Sequence, residues 1–110
     1  MVSAVDSIRI AEYRKLVRQL GQAVTWTAQD GAQTATVQMG YKTPTTADSP
    51  VVAAIGIGGA VFTACAEDLP QPPVKFDTFQ IAGQTFVADT VRPAIIADQV
   101  VGWRIIARGK

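Results

Sequence analysis

The sequence predicts a mostly β protein, a small β-barrel or sandwich of about six strands with an N-terminal helix and one long loop. Apolar residues recur at helical spacing only near the N-terminus. After residue 22 most of them alternate with polar residues, as in strands with one buried face. Gly, Pro and Asp residues divide the alternating region at short intervals. The 110 residues, 48% of them hydrophobic, fit one domain that spans residues 1–110.

The helix is predicted within residues 1–22. Four residues are spaced to share one side of it: Ile10, Tyr13, Val17 and Leu20. Ser3 or Asp6 is suited to cap the first turn, because a short polar side chain can accept a hydrogen bond from a free backbone N–H there. Gly21 is typical of the residue that follows a helix. The helix therefore precedes all the strands.

A β-hairpin is predicted over residues 23–41. Val24, Trp26 and the following apolar residues alternate with threonines and glutamines. Asp30 and Gly31 interrupt the pattern, and this pair favours a tight turn because both residues tolerate a positive φ. The hairpin has one apolar face.

The remaining strands are predicted within residues 60–108, at these positions: 60–66, 76–81, 85–91 and 100–108. Gly83 marks the turn of a second hairpin. Arg92 and Pro93 are expected to end that hairpin, because proline has no backbone N–H to donate to a sheet. The alternation predicts a shared core with six contributors: Phe79, Ile81, Val87, Val91, Trp103 and Ile105.

Residues 42–59 are predicted to form the long loop. Two prolines and several small polar residues open it, and an apolar, glycine-rich stretch follows. Loops of this length inside a compact domain are often functional. The hypothesis is a channel-facing or inter-subunit loop that becomes ordered only in an assembly. Its candidate residues are Lys42, Thr43, Asp48, Val51, Val52, Ile55, Ile57 and Gly58.

The residue types argue against an enzyme. The chain has no histidine, which excludes the commonest general base and most zinc sites. Cys65 is the only cysteine, so no internal disulfide can form and a reducing compartment is expected. Residues 56–59 resemble a fragment of a phosphate-binding loop, but the further Gly or Lys residues of those motifs are missing. No catalytic residue, cofactor or metal is predicted.

The charge pattern favours a partner. Only 17% of residues are charged, against about 25% in a typical soluble protein, so part of the surface is expected to be covered. The net charge is +1, yet both ends are basic and the middle is acidic, which suits head-to-tail contact between copies or one basic face near nucleic acid. Residues 51–66 are uncharged but shorter than the about 20 residues of a membrane helix. The N-terminus lacks a signal-peptide pattern. No membrane partner is predicted.

Residues 76–108 resemble the C-terminal half of the head–tail joining proteins of long-tailed phages, also called head-completion or stopper proteins, which have relatives in gene transfer agents. The pattern is an Asp, alternating apolar residues, a Gly turn, an aromatic residue and valines before a Pro. A final strand then opens with an aromatic residue and ends with a basic one. The matching residues are Asp77, Ile81, Gly83, Phe86, Val87, Val91, Pro93, Trp103 and Arg108.

The resemblance implies a β-barrel protein that assembles with copies of itself into a hexameric ring. The ring would lie between the portal–adaptor complex and the tail. The virion neck, assembled in the host cytoplasm, is the implied location. In such rings a loop between early strands faces the channel and helps to retain packaged DNA, and residues 42–59 match it in position. Because the apolar part of this loop carries no charge, packing between subunits is an equal role for it.

Two alternatives remain open. A tail terminator or another neck or tail ring protein would present a similar pattern. A small-barrel nucleic-acid-binding module has the same number of strands but requires a basic groove with exposed aromatic residues, which the acidic middle of the chain disfavours.

Overall fold

A computed structural model describes residues 3–42 and 59–109 of the chain. One long helix, α1 (Ala4–Leu20), precedes all the strands. The strands are β1 (Gln22–Thr27), β2 (Thr34–Lys42), β3 (Gly59–Cys65), β4 (Thr78–Ile81), β5 (Gln84–Ile96) and β6 (Gln99–Gly109). A single-turn 3₁₀ helix, Ala66–Asp68, follows β3.

The strands form a closed antiparallel barrel in the order β1-β2-β3-β6-β5-β4. β4 pairs with β1 and completes the circle. This confirms the mostly β prediction with an N-terminal helix, and it selects the barrel over the sandwich. The first predicted hairpin is β1 and β2, where Gly31 has a φ of 74° and Asp30 accepts a hydrogen bond from the Ala32 N–H.

β5 is longer than predicted. It continues through Arg92 and Pro93 to Ile96, so these residues do not end the second hairpin. β5 pairs with β4 only over its first residues, and from Thr90 onward β6 is its only registered partner among the described strands. Proline is tolerated in such a strand because its missing N–H can lie on the unpaired side. Pro93 pairs there with Trp103.

The barrel interior is filled by one apolar cluster. Phe62 lies at its centre, stacked on Phe79 with ring centroids 5.1 Å apart and meeting the edge of Phe86 at 5.7 Å. The structure places Phe79, Ile81 and Ile105 in this cluster and packs the half-buried Val91 and Trp103 against it. Five of the six expected core residues therefore contribute to one core.

Val87 is the exception. Its neighbours Phe86 and Ala88 are the buried residues of that part of β5, so Val87 lies on the other face and is only half-buried. The register of β5 on β6 shifts between Ala88 and Thr90. This bulge adds one residue and resets the alternation, which is why Val91 faces the interior although Val87 does not.

α1 packs on the outside of the barrel, mainly on β2 and β3, and also contacts β5 and β6. Ile10 and Val17 are its buried residues, and the Ser3 hydroxyl caps its start by accepting a bond from the Asp6 N–H at 3.1 Å. Two glycines allow the close fit. A Cβ at Gly21 would lie 2.9 Å from the Met39 carbonyl oxygen, and one at Gly102 would lie 2.6 Å from the Ala64 carbonyl oxygen and overlap the Tyr13 hydroxyl.

Candidate functional site

Most of the predicted channel loop lies outside the described residues. This applies to seven of its candidate residues: Thr43, Asp48, Val51, Val52, Ile55, Ile57 and Gly58. Lys42 is described; it is the exposed last residue of β2 and not part of a loop. Gly59 begins β3, and Lys42 pairs with Val61 two residues later. β2 therefore ends, and β3 begins, at the same end of the barrel on neighbouring strands.

The outward side of α1 carries a second set of apolar residues. They are Val5, Ile8, Leu16 and Leu20, and their exposed fractions run from 55% to 76%. Spacings of three and four residues place them in one stripe, with Glu12 at its centre. The stripe is turned away from Ile10 and Val17, which pack on the barrel. We call these five residues the α1 stripe.

The α1 stripe has the composition of a contact surface. A helix that is apolar on two sides is normally covered on both. Burying a Val, Leu or Ile side chain stabilises a contact by about 1.5–3 kcal/mol relative to leaving it in water. A partner that covered all four exposed residues would therefore bind with a large favourable contribution from them. Val5, Ile8 and Leu16 lie outside the side of the helix that the spacing predicts to be buried. Leu20 is predicted to share that side with Ile10 and Val17, but it is exposed and belongs to the stripe.

A second exposed apolar feature lies just before β4. Val74 and Phe76 are 43% and 52% exposed, and Lys75 stands between them with its ammonium 5.3 Å from the centre of the Phe76 ring. We call residues 74–76 the ridge. Phe76 has a φ of 76°, a left-handed conformation that a bulky residue adopts only when its surroundings impose it.

Asp77 imposes that conformation. Its side chain is fully buried, and one carboxylate oxygen accepts hydrogen bonds from Trp26 Nε1 and the Val74 N–H, both at 2.9 Å. The other oxygen accepts the Gln29 N–H at 2.9 Å. These three N–H donors provide hydrogen bonds to both oxygens of the buried carboxylate. Because the hydrogen bonds hold the Asp77 side chain inside the barrel, the preceding side chain, Phe76, is directed outward. The sequence identified Asp77 only as part of the family resemblance, since two of its three donors are distant in sequence.

A charged cluster ties the end of α1 to the 3₁₀ helix. Arg18 Nη2 contacts Glu67 Oε1 at 2.5 Å and Asp68 Oδ1 at 2.7 Å, and Arg14 Nε lies 3.4 Å from Glu67. The hydrogen bonds to Asp68 and then Glu67 raise the pKa of Arg18, so its guanidinium stays charged. The cluster borders a shallow depression of about 340 Å³ beside Thr36, Val37 and Gln38. Its charges are paired within the chain and serve to hold α1 in place.

Cys65 and Tyr13 lie under α1. The Cys65 thiol is buried 3.8 Å from the Arg14 carbonyl oxygen, and this burial raises its pKa to about 11, which leaves little thiolate to act as a nucleophile. Burial also raises the pKa of Tyr13, whose hydroxyl has no hydrogen-bond partner among the described residues. Within that part of the chain, no three His, Cys, Asp or Glu side chains come together as metal ligands would.

The helices within residues 3–42 and 59–109 include none with the length and apolar character needed to cross a bilayer. No protein-family model matches this chain, and no curated protein matches it either. Evidence about function therefore comes from the barrel, the exposed apolar surfaces of the described residues and the sequence.

Proposed function

We propose that this protein is a structural component of a tailed-phage or gene-transfer-agent neck: a stopper-like ring protein that joins the portal–adaptor complex to the tail and helps to retain packaged DNA. The observation that carries the proposal is the α1 stripe, an apolar surface with no cover in the described chain. The resemblance of residues 76–108 to head–tail joining proteins supplies the type of assembly.

The arrangement of the molecule supports a structural role. The barrel is a closed scaffold with an apolar interior, and four of the exposed large apolar residues in the described chain lie on one face of a helix rather than in a pocket. Aromatic and aliphatic residues fixed on rigid elements are typical of stable protein contacts. The charged content of 17% is consistent with a chain that covers part of its surface in an assembly.

The proposed partners are copies of the same chain in a ring, which we expect to be a hexamer, together with portal–adaptor and tail proteins. The location is the virion neck, after assembly in the host cytoplasm. Residues 43–58 keep their hypothesised role at the channel or between subunits. We propose no catalytic activity, cofactor, metal or membrane partner.

Sedimentation velocity and electron microscopy of the purified chain test the ring. We expect concentration-dependent assembly into ring-shaped particles with an axial channel. Ile8→Glu should abolish it, because a carboxylate would then lie in the apolar stripe. Ile95→Glu is a matched control, since Ile95 on β5 is 59% exposed and Ile8 is 60% exposed. Equal effects of the two substitutions would contradict an interface at α1.

A further inference from the structure

The α1 stripe and the ridge are complementary, and on the basis of the proposed ring we infer that they form its subunit interface: the ridge of one copy packs on the α1 stripe of the next, with Lys75 facing Glu12. The contact joins two different surfaces and is therefore head-to-tail. The occupant of each surface is a second copy of this chain.

The two surfaces share a pattern with opposite charge. On α1, the exposed carboxylate of Glu12 lies between Ile8 and Leu16 along the stripe. On the ridge, the exposed ammonium of Lys75 lies between Val74 and Phe76. Neither charge forms an ion pair within residues 3–42 and 59–109, although Lys75 contacts the Phe76 ring. Burying apolar residues on both sides would bring the opposite charges together in a partly dehydrated contact, where they attract more strongly than in water.

The ridge is already fixed in the shape that binding requires. Asp77 anchors it from below, and the Phe76 N–H donates to the Ala88 carbonyl oxygen at 3.0 Å. An exposed aromatic residue held in a left-handed backbone conformation loses little freedom on binding. Rigid aromatic residues of this kind are the usual anchors of protein interfaces.

The two surfaces are carried mainly by different parts of the barrel wall. α1 packs mainly on β2 and β3 and also contacts β5 and β6, whereas the ridge is bonded to Ala88 of β5 and, through Asp77, to Trp26 of β1. In the order of the closed barrel, β3 lies opposite β4, the strand that follows the ridge. A contact between unlike surfaces repeats from copy to copy and closes into a ring when the rotation permits.

Charge exchange between the two positions tests the inference. Lys75→Glu and Glu12→Lys should each weaken self-association, measured by sedimentation equilibrium, by about tenfold or more, because like charges then face each other. The double variant should recover to within about threefold of the wild type, since the pair is restored in reverse. Arg108→Glu, the same charge change at an exposed residue of β6, should have little effect. Unchanged melting temperatures show that each variant is folded.

Three results would overturn the inference. The first is assembly by the single variants as strong as that of the wild type. The second is a double variant that stays as weak as the single variants. In both cases the proposed ring would stand with a different interface. The third is a wild-type chain that does not self-associate at any concentration; a role in the neck is then decided separately, by locating the chain in particles.

Discussion

Replacing Asp77 with Asn changes a fully buried carboxylate into a neutral amide at the centre of three hydrogen bonds. The amide oxygen can take the place of the oxygen that accepts from Trp26 and Val74. The amide nitrogen then faces the Gln29 N–H, so two donors meet and that hydrogen bond is lost. The two bonds that remain are weaker, because they no longer have a charged acceptor.

The expected cost is about 2–3 kcal/mol of the free energy of unfolding. A hydrogen bond to a charged group contributes about 1.5–3 kcal/mol, and water can satisfy the freed Gln29 N–H because Gln29 lies at the surface. This loss is a large fraction of the about 5–15 kcal/mol by which most domains are stable. Urea unfolding followed by the fluorescence of the two tryptophans measures it, at concentrations where the chain is monomeric.

Asp98→Asn is the matched control for this change. Asp98 is exposed in the turn between β5 and β6 with a φ of 62°, a conformation that Asn also adopts readily. Its replacement should change stability by less than about 0.5 kcal/mol. If Asp77→Asn and Asp98→Asn had the same stability as the wild type, the hydrogen bonds of Asp77 would not hold the ridge, and the explanation of the Phe76 conformation would be wrong.

Three further predictions concern the packing of the barrel and α1. Trp103→Ala should lower the free energy of unfolding by about 2–3 kcal/mol, below the about 3–5 kcal/mol of a fully buried tryptophan, because Trp103 is only half-buried. A loss below about 1 kcal/mol in urea unfolding would show that Trp103 does not contribute to the core. Gly102→Ala should cost about 1–3 kcal/mol, because the new methyl group overlaps Tyr13; unchanged stability would show that α1 is not closely packed there. The raised pKa of Cys65 means that the unfolded chain releases the thiol proton first. The contribution of the thiol to the free energy of unfolding should therefore be constant below about pH 9 and be lost as the pH rises to about 11. The wild type should lose more stability over this range than Cys65→Ala, and equal pH profiles would contradict this.

Local sequence signals predicted the elements well where neighbouring residues decide the structure. The Asp30 and Gly31 turn and the alternation on both sides of it define the first hairpin. The turn between β5 and β6 carries no comparable signal, because Ala97 has a φ of 52° that alanine rarely adopts. The turn forms because β5 and β6 pair along their length up to Ile96 and Gln99, so residues outside the turn determine its conformation.

The errors in β5 have the same origin. A proline ends a strand only where a neighbouring strand requires a backbone N–H at that position. Whether a neighbour lies on that side of Pro93 is a property of the barrel and not of the segment. The assignment of Val87 to the core assumed unbroken alternation, which the bulge between Ala88 and Thr90 interrupts. Such shifts depend on the register of the partner strand and have no local signal.

The candidate surfaces were predictable to different degrees. The residues of the α1 stripe can be read from the sequence as a second apolar side of the helix, once the buried side is known. The ridge cannot, because Phe76 is one of several aromatic residues that alternate with polar ones. Only the donors gathered around Asp77, from residues 48 and 51 positions away in the sequence, show that Phe76 is turned outward.

The central claim is that the chain is a structural part of a virion neck. Gold-labelled antibodies against the chain, applied to tailed particles assembled by the genome that encodes it, test this most directly in the electron microscope. We expect label at the junction between head and tail, on particles that have kept their DNA. Label along the tail or at its far end would favour another ring protein of the tail. Particles that carry no label and contain no copy of the chain would contradict a structural role.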